Sequence, residues 1–232
     1  AAFCGCVGFK PTYGRVSRYG LAAYSSSLDQ IGPITQNVTD AAILFDVIAG
    51  YDKMDSTSYS KEFISTADKL NSDRKLTIAV IENFLNETKD EVKSALLKTI
   101  EKLKSAGHKI IYKNLLNSKY NIAAYYIIAT AEASTNLSRY DGVRYGNRAK
   151  ASNLNELYAN TRSAGFGEEV QRRMLLGTFV LSSGYYDAYY IKAQKARAYI
   201  KKEYEKILDE ADLIFMPIAP SVAYKFGELA NP

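Results

Sequence analysis

Few side chains of this sequence have the types and spacing that catalysis requires. His108 is the one histidine among 232 residues, and no catalytic partner lies near it in sequence. A Ser-His-Asp triad would have to use that residue, and nothing around it favours this use. A structural role at the junction between a helix and a strand is the simpler interpretation of His108.

Other common catalytic and metal-binding patterns are also missing from the sequence. It contains no G-x-S-x-G turn, no G-x-x-x-x-G-K-[ST] loop and no G-x-G-x-x-G after a strand. The two cysteines, Cys4 and Cys6, lack the second pair that a zinc site needs. We interpret them as small buried residues in a reducing compartment, which favours a cytoplasmic location.

The composition is that of a soluble globular protein. Hydrophobic residues make up 47% of the chain and charged residues 24%, and no apolar stretch approaches the ~20 residues of a membrane span. The formal net charge is +5, and along the sequence the charges look scattered rather than massed. This balance permits contact with nucleic acid without predicting it.

The elements that would position any site begin with an apolar run. Residues 2–9 predict a short strand that is buried on both faces. A long loop with glycine and proline punctuation follows over 10–36, and loops of this length inside a compact domain are usually functional. The next segment predicts a helix over 37–50, with Asn37 or Thr39 as its N-cap.

The middle of the chain predicts a βαβ unit. An apolar strand over 76–82 precedes a helix of about 19 residues, and "HKIIYKNL" then predicts a second strand. Strand, helix and strand in this order imply parallel pairing through a right-handed crossover.

The last part of the chain is mostly helical in pattern. Its predicted helices cover 119–137, 154–163, 167–181 and about 184–209. A final apolar strand is predicted over 213–220. The fold class is therefore α/β, with a mixed, largely parallel sheet flanked by helices.

One loop of this helical part carries several charges close together. "SRYDGVRYG" (138–146) places Arg139, Asp141 and Arg144 around Gly142. The residues fit a structural turn held by ion pairs and, equally, the wall of a site. The sequence leaves both readings open.

Four long segments of the chain resemble the amidase signature family. They are "FKPTYGRVSRYGLAAYSSSLDQIGPITQNVTDAA" (9–42), "EASTNLSRYDGVRYG" (132–146), "TRSAGFGEEVQRRMLLGTFVLSSGYYDAYYIKAQKAR" (161–197) and "MPIAPSVAYKFGE" (216–228). They occur in the family's order and cover essentially the whole chain, more weakly in 52–118. The resemblance implies the amidase signature fold, with residues 1–232 as the C-terminal majority of a single amidase domain, incomplete at both ends.

The resemblance also implies where the catalytic groups lie. Members of this family use a nucleophilic serine, a second serine in a cis peptide and a lysine that acts as the base. By the motif match, all three would stand upstream of Ala1, so we expect no catalytic residue in this chain and an inactive fragment. No metal site is expected.

Within the family, the likeness is greatest to the glutaminase subunits of tRNA-dependent amidotransferases. By that resemblance, Arg173 would bind the α-carboxylate of glutamine, and Tyr125 would line the same pocket. A partner for the substrate's ammonium group, an aspartate, would follow Pro232. From the residues alone, Arg173 is a surface arginine on a helix and Tyr125 is a packing residue.

The same resemblance implies the partners. The released ammonia would pass to a partner subunit that uses ATP and Mg²⁺ to convert Glu-tRNA(Gln) to Gln-tRNA(Gln), within a heterotrimer of A, B and C subunits. No cofactor is expected in this subunit. Two alternatives stay open: a stand-alone amidase acting on another amide, and a non-catalytic fragment that docks a partner.

Overall fold

The structure is a computed structural model that describes residues 1–70, 73–116 and 118–228. The described chain forms two compact units. The first unit comprises residues 1–19, 30–118 and the chain from Ile200 onward, and the second comprises residues 20–29 and 119–199. The expectation of a single amidase domain over 1–232 stays a prediction.

A parallel three-stranded sheet forms the core of the first unit. Strand β3 (Thr77–Ile81) lies in the centre, between β4 (Lys109–Lys113) and β5 (Leu213–Phe215). Both pairings are parallel, and that of β3 with β4 confirms the parallel pairing of the predicted βαβ unit. The strand carries Thr-Ile-Ala-Val-Ile, and its last four residues are buried, as expected for a strand covered on both faces.

Successive side chains of β3 pack in different clusters of the core, because they point alternately to the two faces of the sheet. Ala79 and Ile81 pack in one cluster with Ile207 and other residues. Val80 packs in a second cluster with Leu85 and Ile100. Ile100 lies on α3 (Asp90–Ser105), the helix that connects β3 to β4.

The remaining elements of the first unit are shorter. Helix α1 (Val38–Ile48) begins at the predicted N-cap Asn37, whose side chain accepts a hydrogen bond from the backbone N–H of Asp40 at 2.8 Å. Strands β1 (Val7–Gly8) and β2 (Ile34–Thr35) pair antiparallel. Where one helix of about 19 residues was predicted, the chain forms α2 (Glu82–Asn86) and α3.

The prediction of a buried strand over residues 2–9 is wrong. Residues Ala2–Cys4 form a 3₁₀ turn, Gly5 follows at a φ of 65°, and only the two residues of β1 pair with another strand. A left-handed glycine interrupts the extended backbone that a continuous ladder needs. Cys4 is exposed and Cys6 is half-buried, so the interpretation of these cysteines as buried residues is also wrong.

His108 has the structural role that the sequence favours. Its Nδ1 accepts a hydrogen bond from the backbone N–H of Leu76 at 3.2 Å, next to the start of β3. The predicted final strand is shorter than expected. It ends at Phe215, two residues before Pro217, which has no N–H to donate to a ladder.

The second unit is built from helices. They are α4 (Ser118–Leu137), α5 (Leu154–Gly165), α6 (Glu168–Leu181), a π-helix (Tyr186–Ile191) and the first part of α7 (Lys192–Leu208). The last two occupy the range predicted as one long helix. No helix within the described residues has both the length and the apolar character to cross a membrane.

Replacing Ile100 by alanine tests the core around β3. The side chain is 0% exposed, so Ile100→Ala removes buried methyl groups and should lower the free energy of unfolding by about 2–5 kcal/mol. Leu97→Ala, on the same helix and 42% exposed, is the matched control and should change it by less than ~1 kcal/mol. Urea denaturation of the complete protein measures both, and equal losses would contradict this account of the core.

Candidate functional site

The candidate site lies in the second unit, around a guanidinium group on α6. Arg173 donates from Nε to Glu169 Oε1 at 2.7 Å and from Nη1 to the hydroxyl of Tyr24 at 2.9 Å. Its side chain is 26% exposed, so the group is held by the protein and still reachable from solvent. A guanidinium has five N–H donors, and these two bonds leave others for a ligand.

The first turn of α6 provides the acid that holds Arg173. Glu169 lies four residues before Arg173, a spacing that puts the two side chains on the same face of the helix. It also pairs with Arg172 at 2.5 Å. Hydrogen bonding from Arg173 first, and then from Arg172, lowers the pKa of Glu169. The carboxylate therefore stays ionised and keeps Arg173 oriented.

Tyrosines surround the same guanidinium. The Arg173 Cζ lies 5.9 Å from the ring centroid of Tyr126 and 6.0 Å from that of Tyr24, within the range of cation–π attraction. Tyr125 packs edge-on against Tyr126, with 5.4 Å between ring centroids. Hydrogen bonding with Tyr24, then Glu169, and more weakly with Tyr125 raises the pKa of Arg173. The guanidinium of Arg173 therefore stays protonated and positively charged.

Helix α4 supplies Tyr125 and Tyr126 and approaches α6 very closely. A Cβ added to Gly177 of α6 would lie 2.0 Å from the backbone oxygen of Thr130 of α4. Nearby, the hydroxyl groups of Ser134 and Thr178 share a hydrogen bond of 2.8 Å between the two helices. The glycine therefore permits the contact between helices that brings these tyrosines to the guanidinium.

Tyr24 comes from a segment without regular structure that polar side chains hold in place. Asp29 accepts hydrogen bonds from the backbone N–H groups of Tyr24 and Ser25 at 2.9–3.0 Å. Glu132 of α4 accepts from both Ser25 Oγ, at 2.7 Å, and Ser27 Oγ, at 2.6 Å.

Two further side chains fix the ends of the same segment. Asn136 of α4 donates to the backbone oxygen of Tyr24 at 3.2 Å and to Ser26 Oγ at 2.9 Å. Arg197 of α7 donates to Ser27 Oγ at 3.0 Å. The loop thus keeps one conformation, and the Tyr24 hydroxyl has a fixed position.

The structure brings together the two residues that the sequence analysis singled out, Arg173 and Tyr125. Their roles toward glutamine stay predictions. Sequence reasoning missed Tyr24 and Glu169. The spacing of Glu169 and Arg173 on a predicted helix was a usable signal, whereas nothing near Tyr24 in sequence points to α6.

The arrangement suits recognition of a carboxylate. A planar guanidinium with a fixed orientation binds a carboxylate through two parallel hydrogen bonds, and the aromatic rings beside it limit access of water. Among the described residues, no group of three or more His, Cys, Asp or Glu side chains could hold a metal ion.

A family model described as Amidase matches residues 1–232 of the chain. The chain is 75% identical over 232 residues to the A subunit of glutamyl-tRNA(Gln) amidotransferase of Campylobacter fetus subsp. fetus (strain 82-40). It is 73% identical over 233 residues to that of Campylobacter jejuni (strain RM1221). Each match covers 100% of this chain and 51% of the relative, so the chain spans about half the length of the curated relatives it matches.

Solved structures give the same picture. The crystal structure of the glutamyl-tRNA(Gln) amidotransferase A subunit from Thermotoga maritima matches with a TM-score of 0.75 and 39% identity, over 100% of this chain and 46% of that one. A bacterial aryl acylamidase of the amidase signature enzymes matches with a TM-score of 0.74 at 18% identity, over 97% of this chain and 44% of that one, a likeness of fold alone. The α/β fold class expected from the sequence is confirmed.

Replacing Gly177 by alanine tests the contact between α4 and α6. The added methyl group would collide with the backbone at Thr130, so Gly177→Ala should push the helices apart, at a cost of about 1–3 kcal/mol. Gly165→Ala, where a Cβ meets nothing within 4 Å, is the matched control. Calorimetric melting of the complete protein should show a lower Tm for Gly177→Ala only, and a tolerated Gly177→Ala would refute the close approach.

Proposed function

The chain belongs to the amidase family, and from that premise we propose that it is part of the glutamine-hydrolysing subunit of a tRNA-dependent amidotransferase. The subunit would release ammonia from glutamine for the conversion of Glu-tRNA(Gln) to Gln-tRNA(Gln) in protein synthesis. Identities of 72–75% to proteins named as the A subunit of glutamyl-tRNA(Gln) amidotransferase support this assignment.

The observation that carries the proposal is the held guanidinium of Arg173. Glutamine differs from most simple amides in having an α-carboxylate, and a site specific for it needs a fork of donors at a fixed place. Glu169 and Tyr24 bind Nε and Nη1 of Arg173, which sets the plane of the guanidinium. We assign Arg173 to the α-carboxylate of glutamine.

Tyr125 is the second substrate residue that we assign. It lies beside Tyr126 and contributes to the hydrogen-bonding environment of Arg173. Its side chain is 46% exposed, which leaves the ring and hydroxyl accessible to a small ligand. In the proposed site, Tyr125 forms a wall of the glutamine pocket.

The catalytic groups would belong to a part of the protein upstream of Ala1. In the proposed mechanism, a lysine whose pKa is lowered by burial takes a proton from the nucleophilic serine through the bridging cis-peptide serine, and the nucleophilic serine attacks the amide carbon. Ammonia leaves and water then releases glutamate from the acyl-enzyme. The residues of this chain hold the substrate while that chemistry proceeds, and by itself the chain would not hydrolyse glutamine.

The proposed complex supplies the remaining steps. Two partner subunits, B and C, would complete a heterotrimer in the cytoplasm, and the B subunit would use ATP and Mg²⁺ to activate Glu-tRNA(Gln). Glutamine is the substrate of the glutaminase subunit, which would itself need no cofactor. The tRNA would be held by the complex as a whole.

Replacing Arg173 tests the proposed function. In the complete complex, Arg173→Ala should raise the KM for glutamine about 10- to 100-fold, because charge-assisted hydrogen bonds to the α-carboxylate are lost. Hydrolysis of a neutral amide without an α-carboxylate should change little. Arg173→Lys keeps the charge without the fork, and its KM should fall between those of the original protein and Arg173→Ala. Ammonia release measures all of these.

Arg172→Ala is the matched control for Arg173→Ala. Arg172 lies next to Arg173, pairs with the same Glu169 and is 65% exposed. Its loss should leave the KM for glutamine within about threefold of the original value. Unchanged kinetics for Arg173→Ala would instead favour a stand-alone amidase of another amide. Partner binding without any glutaminase activity of the complex would favour a docking role.

Replacing Tyr24 by phenylalanine tests whether its hydroxyl positions Arg173. The variant keeps the ring and loses the 2.9 Å bond to Nη1, so the KM for glutamine should rise about 3- to 10-fold with kcat nearly unchanged. Tyr126→Phe is the control, because Arg173 contacts the ring of Tyr126, which this change retains. Equal effects of the two substitutions on KM would remove the positioning role of Tyr24.

A further inference from the structure

Residues 138–150, which lie between α4 and α5, form a positively charged segment of the chain. This basic loop carries Arg139, Arg144, Arg148 and Lys150 against the single carboxylate of Asp141, a net +3. All four cations are exposed.

The side chains of the cations in the basic loop have no partner in the part of the chain that the structure describes. Within the described residues, no side-chain hydrogen bond or ion pair engages Arg139, Arg144, Arg148 or Lys150, whereas Arg173 and Arg197 in the same unit are both engaged. Among the described residues, Asp141 does not form the ion pairs of a structural turn, which was one of the two readings left open by the sequence. Its Oδ1 accepts from the backbone N–H of Val143 at 2.9 Å. Mutual repulsion of these cations would be relieved by an anionic ligand.

Two tyrosines of the basic loop are exposed among these cations. Tyr145 is 86% exposed and Tyr140 is 47% exposed. Aromatic faces between cations are the arrangement that binds single-stranded nucleic acid, in which bases stack on the rings while phosphates meet the charges. An acidic protein surface would use the cations and leave the ring of Tyr145 in water.

The backbone of the basic loop is anchored on α5 at both ends. Arg162 of α5 donates to the backbone oxygen of Tyr140, and Thr161 Oγ1 accepts from the backbone N–H of Ala149 at 3.1 Å. A Cβ added to Gly142 would lie 2.5 Å from Thr161 Cγ2, so the loop packs tightly there. The cations are thus presented from a fixed backbone, which reduces the entropy lost on binding.

A cavity of about 420 Å³ opens between the basic loop and α5. Arg139, Tyr145, Arg162 and Phe166 are among the residues that line it. The Arg162 guanidinium lies 5.0 Å from the ring centroid of Phe166. The volume is within the range of small-molecule pockets and can take one nucleotide with its base between polar and aromatic walls.

We propose that the basic loop and this cavity bind a segment of single-stranded nucleic acid, with phosphates on the four cations and one base in the cavity. The site uses no residue of the Arg173 cluster. It therefore needs neither glutamine binding nor the activity proposed above, and each of the two proposals can fail without the other.

The test is fluorescence anisotropy with a labelled RNA of about 12 nucleotides, the length of one or two single-strand sites. The complete protein is compared with a variant that carries Arg139→Gln, Arg144→Gln, Arg148→Gln and Lys150→Gln. The variant should bind about tenfold more weakly or worse, and the slope of log K against log salt should become shallower by about 3, because four phosphate contacts are lost.

The matched control removes four charges elsewhere. Lys98, Lys102, Lys109 and Lys202 are exposed cations outside the basic loop. Replacing these four lysines by glutamine lowers the net charge equally and should leave both affinity and salt slope nearly unchanged. The melting temperature of each variant shows that it is folded, and ammonia release from glutamine reports separately on the Arg173 site.

Tyr145 tests the stacking part of the proposal. Tyr145→Ala should weaken RNA binding about tenfold, while Tyr145→Phe, which keeps the ring, should bind as the original protein does. A duplex of the same length should bind more weakly, because its bases are not free to stack. A DNA strand of the same sequence distinguishes RNA from DNA as the ligand. Equal affinity for the two strands would indicate that only phosphates and bases are bound, whereas a higher affinity for RNA would indicate an additional contact with the 2′-hydroxyl group.

Two results would overturn the proposal. The first is an equal loss of RNA affinity in the two quadruple variants, because RNA binding would then depend only on net charge. The second is unchanged RNA affinity in the basic-loop variant, and if that variant also bound the partner subunits more weakly, the loop would be identified as a protein-docking surface.

Discussion

A guanidinium that is three-quarters covered must have its hydrogen bonds satisfied, and this requirement organises the second unit. Arg173 meets it with one partner from its own helix, Glu169, and one from a distant loop, Tyr24. The first partner is fixed by helical spacing. The second exists only if residues 24–29 keep one conformation, so the loop and the helix depend on each other.

The loop that carries Tyr24 is stabilised by carboxylates instead of by a sheet or a helix. Asp29 binds its backbone from within, and Glu132 accepts hydrogen bonds from Ser25 and Ser27. A carboxylate that accepts several hydrogen bonds is a stable way to hold irregular backbone, because each N–H or O–H that leaves water finds a charged acceptor. Polar contacts therefore fix the position of this loop, and a helix supplies the carboxylate of Glu132 that makes some of them.

The cations of the second unit occupy two different kinds of environment. Arg173 and Arg197 are partly buried and hydrogen-bonded to protein groups, so their positions are set in the absence of any ligand. The cations of the basic loop are exposed on an anchored backbone and have no partner within the described residues. A pre-positioned fork suits one small carboxylate of defined geometry, whereas exposed cations between aromatic rings suit an extended anion with several charges. The same residue types thus provide two kinds of recognition.

The sequence by itself determined the elements whose signals are local and periodic. Strand β3, the helix α1 with its Asn37 cap and the helices α4 to α6 follow from runs and spacings within a dozen or so residues, and the motifs in register indicated the family. Arg173 and Tyr125 were found through that resemblance, and their roles stay predictions. Only the tertiary structure decided the contacts of Tyr24 with Arg173 and of Ser25 with Glu132, which join residues 149 and 107 positions apart. It also decided that residues 2–9 form a turn and a two-residue strand. A local pattern fixes backbone periodicity, but it does not specify which distant side chain will satisfy a buried hydrogen-bonding group, since that depends on how the elements pack.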